Sequence, residues 1–95
     1  MRFGHQATRM TCRIDRLSIE QGVVLRISGR ITGEELEVVR GALEEGNVVA
    51  LDLEEVELVD RDAVKLLALS GANGIELRRC PAYIREWVTK ERENS

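Results

Sequence analysis

Apolar and polar positions alternate along the chain in segments of two different periods. Between positions 23 and 31, Val23, Leu25 and Ile27 share one side, and Val24, Arg26, Ser28 and Arg30 share the other. That two-residue period is the mark of a strand. Residues 11–19 read as a strand of mixed quality, with Ile14 and Leu17 on opposite faces and Arg13, Asp15 and Arg16 interleaved. Such charges suit a bulged edge strand, blunted against further pairing. Glu20-Gln21-Gly22 is a turn signal, so the two strands are expected to form an antiparallel hairpin. Gly29 points to a bulge or a close backbone approach near the end of the second strand.

A helical period follows. Leu36, Val39 and Leu43, with Val38 and Ala42, form an apolar stripe that runs to about residue 45. Thr32 and Glu35 have the spacing of a capping box, and Gly46-Asn47 is a stop signal. Residues 48–53 are the most apolar strand; a near-continuous run implies burial on both faces, as in a parallel strand covered by helices. After a connecting loop, Arg61–Ala72 reads as a second helix, apolar at Val64, Leu66, Leu67, Ala68 and Leu69. A stripe that wide is either largely buried or meets a partner. Residues 75–79 are a short last strand, and Cys80-Pro81 opens a third helix with the stripe Tyr83, Ile84, Trp87 and Val88. The order predicts an α/β fold: an N-terminal β-hairpin, then two right-handed βαβ crossovers, in a mixed four-stranded sheet with about three helices. Residues 11–88 make the domain, preceded by a flexible N-terminal segment, 1–10, and followed by a charged tail, 89–95. Met10 is an alternative natural start.

Composition narrows the function classes. Ninety-five residues make one domain, and with only Phe3, Tyr83 and Trp87 as aromatics the core must be aliphatic. A net charge of -3 weighs against nucleic acid, and Arg78-Arg79 is too small a basic patch to reverse that; it reads as a solvated strand end. Cys12 and Cys80 fit no metal spacing and read as free thiols in a reducing cytosol, with a single disulfide left open. No apolar run approaches the roughly 18 residues of a membrane span, and the N-terminus has no signal-type stretch. A cytoplasmic protein is expected.

Candidate chemistry is sparse. His5 stands alone and reads as a surface residue. No glycine-rich phosphate loop follows a strand, since Gly71-Ala72-Asn73-Gly74 follows a helix. Asp60 and Asp62 read as solvent-facing acids at a helix start, with no histidine nearby and no pocket to tune them for proton transfer. As an N-cap, Asp60 would contribute about 1 kcal/mol. In the first turn, Asp62 would add roughly 0.3–1 kcal/mol against the helix dipole. Asp52 lies at the C-terminal end of a central strand, where open α/β sheets place ligands, but a metal there would need further carboxylates. No enzyme activity, cofactor or metal is expected.

With this order in view, the chain resembles the STAS family (sulfate transporter and anti-sigma factor antagonist). Three stretches carry the likeness: VVLRISGRI at 23–31, VVALDLEEVELVDRDAV at 48–64 and GIELRRCPAYIREWV at 74–88. It covers about residues 11–88. In family members that act as anti-sigma factor antagonists, the second helix commonly opens Asp-Ser-Ser/Thr-Gly, and a partner anti-sigma kinase phosphorylates the third position. Here the four residues are Asp60, Arg61, Asp62 and Ala63. Asp60 matches the family aspartate, Asp62 takes the place of the phosphorylatable hydroxyl, and Ala63 replaces glycine. Serine phosphorylation at this position is therefore excluded by chemistry, and Asp62 is a fixed charge of about half that of phosphoserine. The sequence also stops before the final strand and helix that many members carry. The resemblance implies a non-enzymatic interaction module that binds an anti-sigma factor or other bacterial regulator through Asp60, Arg61, Asp62 and Ala63, with a homodimer left open. It equally admits a constitutive subunit of a larger complex, such as a transport assembly, or a small-anion sensor.

Overall fold

The structure is a computed structural model that describes residues 12–93; the N-terminal segment, with His5 and Met10, and positions 94–95 lie outside the described residues. The elements are β1 (Cys12–Ile19), β2 (Gly22–Ile31), α1 (Glu35–Glu44), β3 (Val48–Asp52), β4 (Val56–Val59), α2 (Arg61–Ala72), β5 (Glu76–Arg78) and α3 (Ala82–Glu93). The expected α/β class holds. An N-terminal hairpin leads into βαβ units, in an arrangement compatible with a STAS-like fold. The sheet has five strands rather than four, ordered β1-β2-β3-β5, with β4 also paired to β2.

The added strand is a matter of length. β2 has ten residues and β3 only five, so β3 covers β2 from Val23 to Arg26 and then departs. Four residues of the expected loop take over the vacated edge, pairing Gly29 with Val56 and Ile31 with Val59 in parallel. Unpaired backbone groups beside a buried strand would otherwise lose their hydrogen bonds, which drives even a short segment into the ladder. The bulge expected at Gly29 is present, as a register shift between Gly29 and Arg30. No bulge occurs in β1, which pairs with β2 in continuous antiparallel register from Cys12↔Gly29 to Ile19↔Gly22.

The buried residues of all three helices join one apolar cluster with Leu25, Ile27 and Ile31 of β2 and Leu51 of β3. Strand alternation turns Arg26, Asp52 and Arg78 to the opposite face, away from the described helices. β3 is thus buried on both sides, as its composition implied, but among the described residues only one side lies under helices. α2 carries its wide stripe inward, with Ala63, Val64, Leu66, Leu67 and Ala68 buried, and leaves Leu69 at the surface. In α3, Ile84 and Val88 are buried and Trp87 packs against the core from its margin. Tyr83 stands apart from that stripe: its hydroxyl donates to the Glu57 carbonyl at 2.7 Å, tying α3 to β4. Residues 89–93 of the charged tail continue α3. Each fully buried Leu or Ile contributes about 1.5–3 kcal/mol, against roughly 0–1 kcal/mol for an exposed ion pair, so this cluster dominates stability.

One close approach sets the hairpin on the rest of the sheet. The Val23 amide donates to the Asn47 carbonyl at 2.8 Å. A Cβ on Gly22, whose φ is +150°, would lie 2.4 Å from that carbonyl oxygen. Gly41, by contrast, sits in the exposed interior of α1 with open space around it. Urea unfolding should therefore show Gly22→Ala losing more than about 1 kcal/mol, while Gly41→Ala gains about 0.5–1 kcal/mol from helix propensity.

Candidate functional site

The chain leaves β2 at Ile31 and leaves β4 at Val59, and these two residues are paired. The segments that follow, Thr32-Gly33 and Asp60, therefore emerge side by side. Asp60 adopts an extended backbone (φ -106°, ψ -178°) as the N-cap of α2. Its Oδ1 accepts the Ala63 amide hydrogen at 2.9 Å, and its Oδ2 accepts the Gly33 amide hydrogen at 3.2 Å. One carboxylate thus serves the entrances of two helices. Asp60 is half-buried rather than solvent-facing.

The expected capping box at Thr32 does not form. A turn at Gly33-Glu34 precedes α1, whose N-cap is Glu34 with no side-chain cap. Thr32 lies two residues before that N-cap. Its carbonyl accepts the Glu35 amide hydrogen at 3.0 Å, and its hydroxyl reaches only the Glu35 carboxylate at 3.5 Å. The cap near α1 comes instead from Asp60, 27 residues away in sequence, where local spacing gives no sign of it.

The other three residues of the motif have different places. Arg61 and Asp62 are exposed, whereas Ala63 is fully buried and supports the surface from below. Asp62 borders a shallow groove of about 420 Å³ between α1 and α2, floored by Leu36 and Leu66 and edged by Arg40 and Lys65. Leu69, 57% exposed, closes its far end. The junction thus presents two acids, Asp62 and Glu37, basic residues and an exposed leucine around one depression, with Glu37 paired to Arg40 at 3.6 Å.

A second charged cluster lies on the opposite face of the sheet from the described helices. Asp52, with a side chain only 7% exposed, is paired with Arg79 and stands 3.7 Å from Arg26. Arg79 also reaches Glu54 at 2.8 Å, and the Glu54 amide donates to Asp52 Oδ1 at 3.2 Å. Arg79 is exposed just after β5, as its sequence suggested, but it also has a bridging role: a left-handed φ of 49° directs the chain there, and its guanidinium pairs with two acids. Arg78 pairs with Glu76 at 3.0 Å. Burial pushes the Asp52 carboxyl upward, but the Arg79 hydrogen bond, the Glu54 amide and the charges of Arg79 and Arg26 outweigh it and hold the carboxyl below its usual range. With every oxygen engaged, Asp52 is an ion-paired structural residue. Cys12 and Cys80 are free and buried, and burial pushes both thiols up, away from the reactive thiolate. Among the described residues, no three His, Cys, Asp or Glu side chains come together in a way that could hold a metal ion. No described helix is long and apolar enough to cross a membrane.

No protein-family model matches the chain. No curated protein is significantly similar to it.

Two stability measurements follow. Asp60→Ala should lose about 1–2 kcal/mol, as for a strong N-cap. Asp60→Asn, which keeps one carbonyl oxygen, should lose less; equal losses would contradict the double acceptance. For Asp52, the depressed folded-state pKa contributes stability that is fully present above the unfolded carboxylate value, near 3.9. That stability is lost as pH falls through the lower folded value. Asp52→Asn should therefore cost about 1–3 kcal/mol at neutral pH, and its melting temperature should fall less steeply on acidification than that of the wild type.

Proposed function

We propose that the chain is a non-enzymatic, STAS-type interaction module. It binds a protein partner through the start of α2 and the neighbouring α1–α2 groove. The observation that carries this reading is the placement of Asp62. It is an exposed acid at the first turn of α2, beside a groove with a leucine at its end, held on a helix start that Asp60 fixes from two sides. The sequence likeness at 48–64 supports the choice of family, and the architecture is compatible with it.

In this reading Arg61 and Asp62 meet the partner, Asp60 positions them, and Ala63 forms the base of the surface. The partner is an anti-sigma factor or another bacterial regulator, and the setting is the cytoplasm. Asp62 is a permanent charge where relatives of this type carry a removable one, so it sets partner choice and is not a switch. The other readings of the resemblance gain less support. A permanently covered subunit would be expected to leave a broad apolar side on α2, yet only Leu69 of its apolar stripe is markedly exposed. A small anion at the α2 N-terminus would compete with the carboxylate of Asp60 itself.

Native pull-down with mass spectrometry tests this directly. The wild-type chain should recover a regulatory protein, and Asp62→Lys should lose it while thermal stability changes little. Asp62→Ser should alter the recovered partner or its affinity. Unchanged binding by both variants, or recovery of transport components with no regulator, would overturn the proposal.

A further inference from the structure

The opposite flank of α1 carries a second, independent surface. β1 is the outer strand of the sheet, paired with β2 alone, so its other edge is unpaired among the described residues. On the helix side of that edge stand Ile14, half-buried, and Val38 of α1, 54% exposed. These two residues line both of the grooves that flank them, of about 630 and 380 Å³. On the other face, Arg13 and Asp15 form an exposed pair at 3.3 Å.

We propose that this edge joins a second copy of the chain by antiparallel β1–β1 pairing, with the two-fold axis at Ile14. The charges select the partner and the register. In antiparallel pairing about an axis perpendicular to the sheet, opposed residues lie on the same face, so the axis falls on a residue position. At Ile14, Arg13 lies opposite Asp15 of the second copy, and Asp15 opposite Arg13 of the second copy. The two intrastrand pairs then close into one ring of alternating charge. On the helix side, Ile14 meets Ile14 and the exposed Val38 side chains approach each other across the axis. An axis at Asp15 or Arg16 would set two aspartates or two arginines face to face, which is destabilising. An axis at Leu17 would leave every β1 charge without an opposite partner. Charges that blunt the edge against unrelated strands are thus self-complementary in one register.

Sedimentation velocity on the full chain over a concentration series tests the proposal, with circular dichroism to confirm that each variant is folded. The wild type should show a reversible monomer–dimer equilibrium. Arg13→Asp alone and Asp15→Arg alone should each weaken dimerisation about tenfold or more, as like charges come to face each other twice. Mixing those two variants should restore association, because each supplies the charges the other needs. Val38→Glu should also weaken the dimer with the monomer fold intact. A wild type that stays monomeric at every concentration would overturn the proposal, as would a dimer indifferent to the single reversals or a mixture that does not associate.

Discussion

The length of β2 is the constraint on which the rest of this structure depends. Its backbone groups need partners along both edges, and no single neighbour is long enough to supply one of them. β1 takes one edge, and β3 and β4 divide the other. The division has a geometric consequence. β4 ends where β2 ends, so the chain enters α1 and α2 from adjacent points. Only because of that adjacency can Asp60 reach the Gly33 amide as well as its own helix. The candidate interaction surface is a product of strand bookkeeping at the far end of the sheet, and the helices inherit their relative placement from it.

The two faces of the sheet are held by different physics. On the helix side, aliphatic burial is large and insensitive to pH or salt. On the other side, a row of alternating charges crosses the strands, from Asp15 opposite Arg26 to Asp52 and Arg78. Most of these pairs are exposed and contribute little. Asp52 differs because it is buried, and removal of one partner would strand a charge where water cannot reach it. That face therefore contributes specificity of register more than net stability, since a one-residue slip would turn each charge toward the core.

Most of the architecture was legible from periodicity. The hairpin, the helix at Arg61–Ala72 and the α/β class all follow from residue patterns, as does the bulge at Gly29. What escaped were features created by tertiary pairing. β4 is four residues long, with Val56 and Val59 inward and Glu57 and Leu58 outward, a pattern without alternation. Its strand character comes from the edge of β2, not from its own sequence. The capping of the α1 entrance by Asp60 and the bridging role of Arg79 likewise join residues 27 positions apart. At the candidate site, sequence placed Asp62 at the surface, where the structure has it, but it could not see that Ala63 is buried or that Asp60 is committed on both oxygens.

The scarcity of aromatic residues has an optical consequence. The chain has a single tryptophan, and it lies on α3, at the margin of the core rather than within it. Intrinsic fluorescence is therefore a local signal from α3. If α3 lifts from α2 before the sheet dissolves, the emission will shift while the circular dichroism of the strands stays unchanged. Two probes that would coincide in a protein with a central tryptophan can separate here, and their separation would measure how firmly α3 is fastened to the rest of the core.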